Sequence, residues 1–257
     1  VTRAPAQRRP LFVAYALVCY AAFLALSVYA VGFVGNYWAP LGWTGPWLRS
    51  LDGGVSEPLG QAIAFDTALI ALFGVQHSVM ARKSFKHWLA RFLAPELERS
   101  TYVLLATLCL ALLFWQWRPI GPVIWDTSRT AAGLLLGGIS LVGWLVVVRS
   151  TFLIDHAALF GLRQVFAGAE ARSEGAHELK TPGLYRAVRH PLYLGFLIAF
   201  WASPSMTAGH LVFAAGMTLY VLIGIGFEER DLTAQFGSSY ADYQKRVRAL
   251  LPFPRLK

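Results

Sequence analysis

Long apolar runs, nearly free of charge, leave this chain few ways to fold. Six can be read, roughly at 11–35, 60–81, 100–117, 131–148, 191–202 and 207–226. About 20 apolar residues in a helix cross a hydrocarbon core about 30 Å thick. The chain of 257 residues is 56% hydrophobic and 14% charged, whereas a soluble domain carries about 25% charged residues. The expected fold is an all-α integral membrane protein forming a single membrane-embedded domain over 1–257. Its bundle should hold five to six transmembrane segments, ending in a helical hairpin and an interfacial helix.

The net charge of +9 could suggest nucleic acid, but its distribution argues for topology instead. With the N-terminus inside, the inner tails and loops hold 20 of the 23 Lys and Arg residues. Such asymmetry follows the positive-inside rule and predicts cytoplasmic termini, as expected for a bacterial inner membrane protein. The lipid bilayer is therefore the expected partner and nucleic acid is not. The fifth run is short before Ser203-Pro204. At 1.5 Å per residue it reads either as a re-entrant leg or as a helix continuing past the proline. The basic start and first apolar run resemble a signal peptide, but the run is too long, so a retained span is expected.

Several features read as structural. Cys19 and Cys109 lie inside apolar runs, without metal or redox spacing. Gly133 and Gly137 have the small-xxx-small spacing of closely packed helices. Trp38, Trp43 and Trp47 read as outer interfacial anchors, as do Trp115, Trp117 and Trp125. After Gly237-Ser238-Ser239, the residues Tyr240, Tyr243, Val247 and Leu250 recur at helical spacing. They predict an amphipathic helix that either anchors at the interface or covers the hairpin's open end.

The hairpin's ends carry the chemistry. Tyr185, Arg186, Arg189-His190-Pro191, Tyr193 and Gly195 precede the first leg, and Glu228-Glu229 close the second. A hairpin brings its ends together, so these groups should meet at one membrane face. Pro191 suits the first turn of a helix, whose free N–H groups favour an anion such as a carboxylate. Gly195 allows close approach of a ligand or of a helix. The carboxylates can hold an ammonium group or sugar hydroxyls. S-adenosylmethionine has all of these parts. An Arg189 ion pair with Glu228 or Glu229, closing the hairpin, explains the residues equally well.

Two other groupings stand out. Asp66, Gln76 and His77 interrupt the second run, and Asp66 and His77 share a helix face. Ionisable groups at membrane depth usually face a bundle interior. On the loop before the hairpin, Asp155-His156 and Arg163-Gln164 flank Phe160-Gly161-Leu162. They read as a local loop network or as a group closing over the mouth. Gly224 and Gly226 make no dinucleotide fingerprint. The absence of HExxH and CxxC gives no reason to expect a metal.

Arg189-His190-Pro191-x-Tyr193-x-Gly195, then Glu228-Glu229, Leu232, Gly237, Tyr240, Tyr243 and Val247, resemble the isoprenylcysteine carboxyl methyltransferase superfamily. The resemblance implies S-adenosylmethionine held between the last hairpin and the C-terminal segment. Residues 76–82, 98–102 and 114–119, with Asp155-His156 and 160–164, are similar to the NnrU-like branch and its bacterial methanethiol S-methyltransferases. That family's activity would be methyl transfer to a small thiol, turning methanethiol into dimethyl sulfide and hydrogen sulfide into methanethiol. On this basis Tyr185, Arg189, His190, Pro191, Tyr193, Gly195, Glu228 and Glu229 are candidates for the cofactor. His77, His156 and Arg163 are candidates for thiol deprotonation or thiolate stabilisation, with Asp155 as a histidine partner. A lipid or prenylcysteine methyltransferase, or a non-enzymatic membrane protein, are the rival readings.

Overall fold

The computed structural model describes residues 9–38, 41–42, 48–54, 57–166 and 179–251. Trp43, Trp47, most of the charged stretch 170–180 and both terminal tails lie outside the described residues. The helices are α1 (Arg9–Gly35), α2 (Leu59–Ala81), α3 (Lys83–Leu89), α4 (Glu98–Gln116), α5 (Ala131–Ile154), α6 (His156–Leu159), α7 (Leu162–Phe166), α8 (Pro191–Trp201), α9 (Ala208–Phe236) and α10 (Ser238–Arg246). Two short strands, β1 (Val123–Asp126) and β2 (Ser205–Thr207), and two 3-10 turns, Pro95–Leu97 and Gly183–Arg186, complete the described elements. α1, α2, α5, α9 and the segment Pro95–Gln116 are each long and apolar enough to cross a membrane. The chain is an all-α integral membrane protein.

α4 packs between α1 and α2, and α2 packs on α9. α8 lies along α5, its closest neighbour. The main core sits in one half of the bundle, where Phe33, Phe114, Trp117, Phe200 and Phe213 meet. A smaller cluster of Met80, Tyr102, Val103 and Phe160 occupies the other half. Trp38 and Trp117 belong to the buried interior rather than to an interfacial belt. The Trp117 indole donates to the Leu51 carbonyl at 3.1 Å, so the polar edge that would seek headgroups is satisfied inside. Trp115 and Trp125 are partly exposed, as an anchor should be.

α8 has 11 residues, a rise of about 16 Å, too little to span alone. The chain completes the distance as a strand, which rises about 3.3 Å per residue. β2 pairs antiparallel with β1, which lies between α4 and α5. The bond from Thr127 N–H to Pro204 O is 2.8 Å, and that from Ala208 N–H to Pro122 O is 2.7 Å. Irregular backbone is tolerated at such depth because protein groups satisfy it. The first leg of the hairpin is thus half helix and half strand.

Close backbone approach explains the α5–α8 pair. A Cβ at Gly143 would lie 2.7 Å from Gly195 O, and one at Gly195 would lie 2.7 Å from Gly143 O. Gly195 therefore serves the second of its two expected uses, helix contact. Gly133 instead meets the Thr127 carbonyl in the turn before α5, and Gly137 faces only Pro204. The packing glycine of this helix is Gly143, outside the small-xxx-small pair.

Candidate functional site

The ends of the hairpin meet. Arg189 Nη2 lies 2.5 Å and Nε 2.7 Å from Glu229 Oε1. Arg189 Nη1 donates to the carbonyls of Gln244 and Val247. These four bonds engage every nitrogen of the buried guanidinium, so the ion-pair alternative is realised at Glu229. Arg189 is left as a clamp on the C-terminal segment rather than as an open carboxylate receptor. The Arg189 and His190 amides are also taken, by the Arg248 and Ala249 carbonyls at 2.8 and 3.0 Å. The amides of the two residues before α8 are therefore engaged by the C-terminal segment. Pro191 does open α8, as its missing N–H allows.

α10 ends at Arg246, one turn before the expected stripe runs out. Val247 turns extended, and Arg248 bridges in parallel to Val188. Tyr240 and Tyr243 are buried beneath this segment. Gln244 donates to Glu229 Oε2 at 3.1 Å, and Tyr243 donates to the Tyr185 carbonyl at 2.5 Å. Of its two expected roles, covering the mouth is the one these contacts describe. Burial pushes the Tyr243 phenol up to about 12, against the opposing Arg189 charge. Burial and the Glu228 charge both push the Tyr185 phenol up.

Glu228 differs from its neighbour. Its side chain is 44% exposed, and its nearest basic atom, His190 Nδ1, is 3.7 Å away. His190 stacks on Tyr193 with ring centroids 5.6 Å apart, and its Nε2 is 3.1 Å from Glu229. An exposed carboxylate beside Tyr185, Tyr193 and His190 suits a cation with an aromatic part. A cationic methyl donor would find complementary groups in these residues.

Deeper in, His77 stands between two tyrosines. Tyr102 lies 2.7 Å from its Nε2 and Tyr220 2.7 Å from its Nδ1. The Arg99 guanidinium lies 5.0 Å over the Tyr102 ring, and its Nε donates to Leu159 O at 2.6 Å. Tyr102, Tyr220 and Arg99 escaped the reading of the sequence as site residues. Arg99 and Tyr102 sit on α4 and Tyr220 on α9, and tyrosines within apolar runs read as core. Asp66 does not join them. It lies about 16 Å further along α2 and accepts the Arg118 amide at 3.0 Å. Gln76 turns to the Met80 sulfur at 2.9 Å.

The loop residues separate by task. Asp155 does not serve a histidine. Its Oδ2 pairs with Arg163 Nη1 at 2.5 Å, and its Oδ1 caps α6 through the Ala158 amide at 2.9 Å. Desolvation opposes its ionisation, yet the amide and the guanidinium together hold the carboxyl below its usual range. Thr151 gives its proton to Val148 O, so at 2.8 Å it accepts from His156 Nδ1. His156 Nε2 then accepts from Tyr20 at 2.7 Å. Both nitrogens are engaged in joining α1 to α5, and burial lowers the imidazole's basicity. Gly161, at φ +87°, backs directly onto Ser100, where any Cβ would collide. The loop buttresses α4 from behind.

The family profile described as NnrU protein matches residues 67–251. Methanethiol S-methyltransferase 2 of Bradyrhizobium diazoefficiens is 52% identical, over 93% of this chain and 88% of its own length. Methanethiol S-methyltransferase of Mycobacterium tuberculosis is 47% identical, over 96% and 98%. Nurim of Mus musculus is 32% identical over 72% of each chain. No solved structure matches. The chain belongs to the NnrU family, together with these bacterial relatives that carry the name methanethiol S-methyltransferase.

Proposed function

We propose that this protein methylates a small thiol, methanethiol to dimethyl sulfide and hydrogen sulfide to methanethiol, with S-adenosylmethionine as donor. The observation that carries the reading is the exposed Glu228 at 3.7 Å from His190, which stacks on Tyr193, where the ends of the hairpin meet. The relatives' printed name supplies the substrate class. Glu228, Tyr185, Tyr193 and His190 hold the donor, and Arg189 with Glu229 fixes the cover over it. S-adenosylmethionine contributes a methyl on a cationic sulfur, open to in-line attack. The thiol's proton is taken up by the group of His77 and its two tyrosines rather than by His156. The thiolate is the reactive nucleophile, and the buried walls exclude water that would solvate it.

The same reading puts the mouth and both termini on the cytoplasmic side of a bacterial inner membrane, where the donor is made. The full chain in lipid nanodiscs is expected to bind S-adenosylmethionine by titration calorimetry. Given methanethiol, it is expected to release dimethyl sulfide into the headspace. Binding without product would point to a different methyl acceptor, and no binding would remove the reading.

A further inference from the structure

The imidazole of His77 is held by a hydroxyl at each nitrogen, both at 2.7 Å. A neutral imidazole has one N–H and one lone pair. Whichever tautomer is present, one tyrosine donates to the ring and the other accepts from it. A proton reaching one nitrogen can therefore leave from the other without any movement of the ring. The three residues come from α2, α4 and α9, so tertiary packing assembled this chain of bonds. Glu228 follows Tyr220 by eight residues on α9, about two turns, and points to the mouth.

We propose that Tyr102, His77 and Tyr220 form a proton relay, which takes the proton of the substrate thiol and passes it toward Glu228. The proposal rests on the methyltransferase reading and adds how its proton leaves. Tyr102 meets the thiol. The S–H bond breaks as the Tyr102 oxygen takes that proton and gives its own to His77 Nε2. The sulfur's electron pair forms the new S–C bond, while the donor's C–S bond breaks and its pair stays on a neutral thioether. One proton is released for each methyl moved. His77 Nδ1 hands it to Tyr220, from which it leaves to water on the side of the mouth where Glu228 is exposed. A charge stranded on His77 would sit buried near the Arg99 guanidinium that covers Tyr102, a costly arrangement. Onward transfer removes it, and Arg99 offsets negative charge at the thiol end.

The test compares thiol with selenol. Methaneselenol is ionised at neutral pH and needs no base. Wild type, Tyr102→Phe, Tyr220→Phe and His77→Gln are assayed as full chains in nanodiscs for S-adenosylmethionine binding and for methylation of methanethiol and methaneselenol. With donor binding unchanged, methanethiol turnover is expected to fall about 100-fold to 1000-fold in the variants. Methaneselenol turnover is expected to stay near wild type, and the thiol defect to shrink as pH rises toward the thiol's own pKa. Equal loss on both substrates overturns the relay and leaves the methyltransferase reading standing. A wild type inert to both substrates overturns the two together. If one variant cannot bind the donor at all, the other two decide.

Discussion

Glu228 and Glu229 are adjacent in sequence, yet their surroundings give them different tasks. Glu229 neutralises the buried Arg189, so Glu229→Gln strands a guanidinium. It should lower stability by about 3 kcal/mol, read by thermal unfolding in detergent. Glu228→Ala should leave unfolding unchanged and weaken S-adenosylmethionine binding about 10-fold or more, read by calorimetry. The motif containing these residues was legible because charged groups in apolar surroundings are conspicuous. The division of labour was not, since only the fold reveals which carboxylate meets Arg189. The same holds for His156, whose partners Tyr20 and Thr151 make it a joint between helices. Asp155 gives a pH test. Its folded carboxyl ionises below the unfolded value of about 3.9, so its stabilisation is complete above that value. It is lost as pH falls through the lower folded value. Asp155→Asn keeps a cap acceptor but loses the charge paired with Arg163, and should cost up to about 1 kcal/mol at pH 7. The gap to wild type should close in acid, while methyl transfer at neutral pH persists.

At the scale of elements, α8 is set by α5. Gly195→Val would push a branched side chain into backbone 2.7 Å from its first carbon. Separation of the helices should cost about 1–3 kcal/mol. Because His190 and Tyr193 flank Pro191 at the entry to α8, donor affinity should fall with it. Gly138→Ala, where a Cβ meets open space, is the control and should change neither stability nor binding. The long helices were plain from hydropathy alone. The half-helix was visible as an anomaly, since its run ends early at Ser203-Pro204. Its completion by a strand was not visible, because β1 lies about 80 residues earlier in a loop with no strong strand pattern.

For the whole molecule, the start of α1 and the closing segment lie at the same end of the bundle. Arg9 bonds Phe166 O beside the loop that follows α5, and Gly183, ahead of the mouth, packs on Leu153 near the end of α5. The opposite end carries β1 and β2. In sealed vesicles, Arg9→Cys and Lys245→Cys should react with an impermeant maleimide from one side. Asp126→Cys should react only from the other. Labelling of all three from one side would refute six crossings. Basic-residue asymmetry foretold this arrangement well, whereas the convergence of α2, α4 and α9 on His77 depends on packing that no local pattern records.

The half-helix also bears on biogenesis. With 11 residues, α8 falls short of the roughly 17–25 that partition into lipid as an independent helix. It has to enter as a passenger of α9, the long apolar helix that follows. Its strand end can settle only where β1 already waits, and its helical end only where α5 offers Gly143. The entry to α8, with His190 and Tyr193, can therefore take its place only after α5 and β1 are in position. Damage along the α5–α8 seam should reach the cell first as protein cleared by membrane quality control, before it is seen as slow chemistry.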